Sequence, residues 1–351
     1  MHDLAIHEIE NGDDFHGKQL KILAFEYITG GGLADAALPP GLAREGELML
    51  RALVRDLGAI AEVETLVLRD ARLPEPAWAG PGVTLFPVAC SAGFADAWEQ
   101  AFDRADAVWP IAPESGGILA DLCRDVKGRG KILLNSSAEA VRLAASKRMT
   151  SEWLRSAGVA AVSTYRLADT PPDCPWPRVV KPDDGVGCEN ARLLRDSRDW
   201  DGWHPDREAA EWVVQPYLLG VPMSLSALFC RGEGRLLSVN RQHIALENSG
   251  FVWRGCRVGD ETDAAGFHQN LVGQIARAVP SLWGYAGVDF IRTAAGVVVL
   301  EINPRLTTSW VGLREALGVN PAGLVLELAL GKPLAELAIP DAPQPVEVEF
   351  R

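Results

Sequence analysis

The 351-residue chain has no Cys-x-x-Cys pair, and its six cysteines, at positions 90, 123, 174, 188, 230 and 256, are scattered. A structural zinc site needs clustered thiols and imidazoles, and a small secreted domain needs paired cysteines. Both are excluded, and scattered free thiols fit a reducing cytoplasm. No apolar run approaches the roughly 18 residues that a membrane helix requires, and the polar, acidic first residues carry no signal peptide. Residues 1–18 read as a loosely held leader. Basic residues are in deficit: the net charge of −13 leaves no stripe that would hold a nucleic-acid backbone. Two glycine fingerprints are missing as well. The triplet Gly30-Gly31-Gly32 lacks the G-x-G-x-x-G spacing, and no Gly-Lys-Ser/Thr follows it, so neither a dinucleotide site nor a P-loop is supported. What remains is a globular composition, 48% hydrophobic and 23% charged, in a chain long enough for two or three lobes.

The first lobe alternates between the two periodicities. Residues 20–25 predict a strand that runs into Glu26 and the glycine triplet. Apolar spacing predicts helices over 45–57, 94–104 and 118–127, and strands over 61–68, 107–111 and 131–134. This order indicates an open, mostly parallel α/β lobe. Ser137 is a helix cap, and the helix it opens is predicted to reach residue 151, with a second helix ending at Gly158. Four prolines between 169 and 177 forbid helix or central strand there. Beyond them, strands are predicted at 178–181, 191–194 and 212–215. Two strand pairs, 223–230 with 235–242 and 288–293 with 297–302, enclose a helix at 264–279. The polar stretch 199–211 fits loop or helix.

The last strand pair carries the strongest chemical signal. Asp289 lies on its first strand, and Glu301 and Asn303 lie two apart on its second, so alternation aims the latter two at one face while Ile302 points into the core. Natural hairpin pairing sets Asp289 across from them. Two carboxylates and an amide oxygen suit Mg²⁺, which takes a few protein oxygens and completes its shell with phosphates and water. A merely solvated acidic hairpin is disfavoured because the flanking residues are apolar, and buried carboxylates need a partner or a metal.

Lys181-Pro-Asp-Asp-Gly185-Val186-Gly187 follows a strand at once. Glycines so spaced let backbone N–H groups converge on phosphate oxygens, and a lysine at the strand end supplies point charge. Lys147 is a candidate second phosphate cation, although taken alone it reads as a surface lysine. In Gln215-Pro216-Tyr217-Leu218, the Pro216 carbonyl and the Leu218 N–H could meet the edge of an adenine. An ordinary exit from a strand explains the same residues equally well.

Together these pieces resemble the ATP-grasp superfamily of carboxylate–amine ligases over roughly residues 135–330. The resemblance implies an α/β fold: a Rossmann-like preATP-grasp domain at 19–135, then a two-lobed α+β ATP-grasp fold with a small lobe at 136–215 and a metal-bearing lobe at 216–351. It implies ATP and Mg²⁺, with Mn²⁺ as a substitute. Lys147 and Lys181 match the two ATP lysines, with Gly185, Val186 and Gly187 as the mobile loop. Gln215, Pro216, Tyr217 and Leu218 match the adenine hinge. Asp289, Glu301 and Asn303 match the metal ligands, and Lys181 and Arg305 the residues that meet the reacting groups. There are departures: Val221-Pro222-Met223 stands where a ribose-binding glutamate is usual, and Cys188 replaces a small loop residue. Gly287 stands where D-alanine–D-alanine ligases carry an oxyanion arginine. Glu26-Tyr-Ile-Thr-Gly-Gly-Gly32, Ala112-Pro-Glu114, Asn240-Arg-Gln242 and Asn303-Pro-Arg-Leu-Thr-Thr-Ser309 look most like the tyramine–glutamate ligases of methanofuran and methylofuran synthesis. That likeness implies a γ-glutamyl amide made from L-glutamate and tyramine or tyrosine through an acyl phosphate. Its partners are then a small acid and a small amine, with no nucleic acid and no membrane, and it admits a homodimer. Glu26, Gly30, Gly31, Gly32, Glu114 and Arg241 are candidate substrate contacts; for the turn residues, shaping the turn is an equal alternative. Other carboxylate–amine ligases of the superfamily share much of this pattern. An ATP-grasp kinase would share the ATP half, and a non-catalytic nucleotide-binding module would tend to lose the metal ligands.

Overall fold

The computed structural model describes residues 19–185, 187–188, 190–205 and 211–349; the expected leader lies outside them. Five parallel strands form the first sheet: β1 (Leu20–Glu26), β2 (Val63–Asp70), β3 (Val83–Val88), β4 (Ala107–Ile111) and β5 (Ile132–Leu133). Their order is β3-β2-β1-β4-β5, so the chain reverses direction across the sheet between β1 and β4. Such a switch opens a crevice beyond the strand ends. Glu26 and the segment after Ile111 sit at this point.

Helix α1 (Pro40–Gly58) starts with proline where its missing N–H costs nothing. Its Leu50, Leu53 and Leu57 pack on one face of the sheet; α2 (Ser91–Arg104) and α3 (Ile118–Gly128) contribute to the core on the other. The first core does not stop at the domain boundary. It continues through α1 into α8 (Trp310–Leu317) and α9 (Pro321–Ala329), with Trp109 and Trp310 in edge contact at 5.7 Å.

The single helix expected from Ser137 is two helices, α4 (Ala138–Ala145) and α5 (Lys147–Ser156). Ser146 breaks it: its Oγ caps the Met149 N–H at 3.1 Å and donates to Asp183 Oδ2 at 2.6 Å. Serine gains more from capping than from continuing a helix. This break moves Lys147 from the end of one helix to the first residue of the next.

The second sheet runs β14-β13-β10-β11-β12-β8-β7-β9-β6, with β15 (Val346–Glu349) alongside β12. Its small-lobe strands are β6 (Tyr165–Arg166), β7 (Arg178–Pro182), β8 (Arg192–Leu194) and β9 (Trp212–Pro216), with α6 (Ser197–Gly202) nearby. The large-lobe strands are β10 (Val221–Cys230), β11 (Glu233–Glu247), β12 (Gly250–Glu261), β13 (Gly284–Thr293) and β14 (Gly296–Asn303). Met223, Leu225, Ala227 and Phe229 on β10 face a core shared with α4, α5 and α7 (Phe267–Ala278); Ser224 and Ser226, one step out of phase, face away from it. Sequence periodicity missed β3, β6, β12, β15, α8 and α9. In β12 the arginines and glycines interleaved with Val252, Trp253, Cys256 and Val258 hide the apolar face.

Candidate active site

The hairpin of β13 and β14 carries the acidic face, and a bulge makes that face possible. From the turn inward, Thr293 pairs with Gly296, Arg292 with Val297, Ile291 with Val298 and Phe290 with Val299. Continued regularly, this register would set Asp289 opposite Leu300 and put Glu301 on the far face. Instead Leu300 is the extra residue, Asp289 faces Glu301, and Gly287 faces Asn303. Bulges re-aim side chains in this way beside many active sites. Behind the face, Val288, Phe290 and Ile302 lie in the α7 core.

The two carboxylates are a strained pair. Burial, then the charge on Glu301, push the Asp289 carboxyl up to about 7, while the Asn303 amide donates to Asp289 Oδ2 at 3.0 Å. Burial also acts to raise Glu301, but Lys147 and Lys181 outweigh it and hold that group below the usual carboxylate range. Lys147 Nζ lies 3.5 Å from Glu301 Oε2. A divalent cation between Asp289 and Glu301 would cancel the repulsion, so these residues fit one. Among the described residues no cluster of three or more His, Cys, Asp or Glu side chains forms a metal site. The donor set here is two carboxylates and an amide, which leaves the rest of a Mg²⁺ shell to phosphate and water.

Lys147 also donates to Gly185 O at 2.5 Å and to Asp183 O at 3.3 Å, so it pins the glycine loop to the start of α5. Burial lowers the Lys181 pKa, against the pull of Glu301. Arg305 is buried and reaches across to the first domain: its Nε lies 2.9 and 3.0 Å from the two oxygens of Glu114. The glycine loop touches the same domain, where Gly116 N donates to Asp184 Oδ2 at 3.1 Å.

The acidic hairpin, Lys181 and Arg305 line one cleft of about 420 Å³, whereas Lys147 and Glu114 touch these groups, and Gly185 touches Lys147, without lining it. Lys181, Gly187, Asp289, Glu301, Asn303 and Arg305 are its charged and phosphate-facing lining. Val179, Met223, Ile291 and Leu300, with Gln215, Pro216, Tyr217 and Leu218, form an end suited to a flat aromatic base. Gln215 is tied down there, since its Nε2 donates to Thr164 Oγ1 at 2.9 Å. Pro222 and Met223 occupy the wall where a ribose-binding glutamate was looked for.

Residues 144–309 match the ATP-grasp domain family, and residues 63–141 match the pre ATP-grasp 3 domain family. The chain belongs to the ATP-grasp superfamily. Within it, the tyramine–L-glutamate ligase of Methanocaldococcus jannaschii is 24% identical over 92% of this chain and 89% of its own length. That of Methanocaldococcus fervens is 24% identical over 84% and 89%. Among solved structures, an ATP-grasp superfamily protein from Archaeoglobus fulgidus superposes with a TM-score of 0.66, at 23% identity, covering 95% of this chain and all of that one. The family and these relatives make the chain an ATP-dependent ligase of the C–N-bond-forming kind.

The ATP-grasp cleft does not gather every residue singled out from sequence. Glu26 is buried at the end of β1, and its carboxylate accepts from Ile28 N at 3.1 Å, Thr29 N at 2.6 Å and Thr29 Oγ1 at 2.6 Å. It closes the turn that holds Gly30, Gly31 and Gly32, and none of these four lines the cleft. Burial pushes Glu26 up to about 7. Arg241 points away as well, donating to Asp260 Oδ2 at 2.8 Å; its neighbour Gln242 lines the cleft instead, as strand alternation requires. Val186 lies outside the described residues. Missed entirely were Glu45 and Met49 on α1 and the β11–β12 face with Ile244 and Trp253. No local motif marks them: Glu45 and Met49 join the site through the packing of the two domains, and Ile244 and Trp253 through the β11–β12 pairing that sequence periodicity missed. No described helix is long and apolar enough to cross a membrane.

Proposed function

We propose that this ligase joins the γ-carboxylate of L-glutamate to the primary amine of tyramine or tyrosine, at the expense of ATP. The observation that carries the reading is the convergence of the Asp289, Glu301 and Asn303 face with Lys181 and Arg305 on one cleft. L-glutamate and tyramine are the substrates named for the two curated relatives; tyrosine and the choice of the γ-carboxylate are our own reading.

ATP binds with its base between Val179 and Leu300, its edge on 216–218, and its phosphates toward Lys147, Lys181 and Gly187. Asp289, Glu301 and Asn303 would hold Mg²⁺, or Mn²⁺ in its place, which neutralises phosphate charge when bound. A γ-carboxylate oxygen of glutamate attacks the γ-phosphorus, the bond to the β-phosphate oxygen breaks, and ADP leaves a glutamyl phosphate. The amine nitrogen then attacks the acyl carbon, phosphate departs, and the nitrogen loses its proton. The protein supplies position and charge rather than a nucleophile. Arg305, steadied by Glu114, faces the oxyanion of the second step; Lys181 offsets the phosphate of the first. The glycine loop would cover the acyl phosphate against water.

The test is stoichiometry. ATP, Mg²⁺, L-glutamate and tyramine should give ADP, free phosphate and γ-glutamyltyramine in equal amounts, read by coupled assay and mass spectrometry. Phosphate retained on an acceptor would make the protein a kinase and overturn the reading.

A further inference from the structure

Two elements that line the cleft are left unused by that reaction. One is the face of α1 that carries Glu45 and Met49, one helical turn apart. The other is the β11–β12 hairpin. Its register pairs Ile244 with Trp253 and Leu246 with Phe251, and all four line the cleft, forming an apolar wall. Leu246 is 45% exposed and therefore not committed to the core.

The charge pattern along the cleft is uneven. Lys181 and Arg305 suit phosphates and a carboxylate and repel an ammonium group. Outside the metal hairpin, Glu45 is the one carboxylate among the described residues lining the cleft. Its charge is felt by both Arg305 and Cys188, and all three line the same cleft. A carboxylate and an apolar wall within one cleft are the complement of a cation attached to an apolar body.

We infer that Glu45 and the apolar face of the β11–β12 hairpin form the amine subsite, selecting a primary ammonium group joined by a short linker to an aromatic body. Glu45 binds the nitrogen, and Ile244, Phe251 and Trp253 bury the ring. This assignment rests on the ligase reading for its meaning in turnover, but its binding can be measured without turnover.

Calorimetry with the full chain, ADP and Mg²⁺ present, should show tyramine binding to the wild type and binding about 10- to 100-fold weaker to Glu45→Gln, the range for a hydrogen bond to a charged group. In ADP-release assays the same variant should raise the KM for tyramine by a similar factor while the KM values for ATP and glutamate stay within about twofold. Phe251→Ala should raise the KM for tyramine about five-fold or more and leave that for ethylamine unchanged, through loss of buried ring area. Undiminished tyramine binding by Glu45→Gln overturns the subsite, as does no tyramine binding by the wild type. Tyramine binding without ADP release, lost in Glu45→Gln, overturns the ligase reading and leaves the subsite standing.

Discussion

After β1 the chain turns through Gly30, Gly31 and Gly32, and after β7 it turns through Gly185 and Gly187; the first turn is packed full and the second is open. A Cβ at Gly30 would overlap the Glu26 carbonyl oxygen, at Gly31 the side chain of Val88, and at Gly32 the ring of Tyr27. At Gly187 it would meet nothing within 4 Å, and at Gly185 its nearest neighbour would be Pro182 Cβ at 3.2 Å. Glycine serves the first turn because no other residue fits, and the second because its backbone is left bare beside Lys181. The acids follow the same division. Glu26 turns inward onto its own backbone, whereas Asp289 and Glu301 meet the side chains of Asn303 and Lys147 and the charges of Lys181 and Arg305. A strand followed by glycines and an acid therefore describes two opposite physical situations, and only the packing around them separates shape from chemistry.

The largest effect should come from the open side. Glu301→Gln removes one carboxylate of the proposed metal site and should cut ADP release by about 100-fold or more, because charge neutralisation by a bound metal is worth several kcal/mol. Its urea midpoint should remain near that of the wild type; a collapse in stability instead would place Glu301 with the structural acids. On the packed side, Gly31→Ala combines a φ of +90° with the clash on Val88, and should cost about 2–4 kcal/mol in urea denaturation.

Glu26 gives a pH signature. With its carboxyl near 7 in the fold and 4.5 when exposed, the native state holds a proton that the unfolded chain releases. Stability from this group is complete below about 4.5, declines as pH rises, and is lost above about 7, a total of roughly 3 kcal/mol. Glu26→Gln should flatten that slope in stability measured from pH 4.5 to 7.5; an unchanged slope would show that the turn donors keep Glu26 ionised. The smallest effect should be Gly187→Ala, which faces only the left-handed backbone penalty of about 1 kcal/mol. Its KM for ATP should rise severalfold, by about 3- to 10-fold, if the bare backbone approaches phosphate. A loss of stability as large as that of Gly31→Ala would erase the contrast between the turns.

Much of this could be seen in the sequence. Alternation of strand and helix marked the first sheet, and the ordered run of Lys147, Lys181, Gln215, Asp289, Glu301 and Asn303 marked the ATP-grasp half. What stayed hidden depended on distant packing. The bulge at Leu300, which brings Asp289 and Glu301 to one face, cannot be inferred from a hairpin whose turn predicts the regular register. The cap at Ser146 is strengthened by Asp183, 37 residues away, so helix periodicity ran straight through it. Glu45 became part of the cleft because α1 packs against α8 and α9, a contact between segments with no shared sequence signal.

The bond between Glu114 and Arg305 has a consequence for how this enzyme can be divided. A fragment starting at Ser136 would keep Asp289, Glu301, Asn303 and both lysines, yet leave a buried guanidinium stripped of its counter-charge and α8 stripped of α1. Losing one member of such a pair commonly costs 3–5 kcal/mol, roughly half or more of what holds many domains folded. The amino-terminal sheet is thus not a carrier that could be exchanged for another; grafting a different one would require a carboxylate delivered to the same arginine from the same direction.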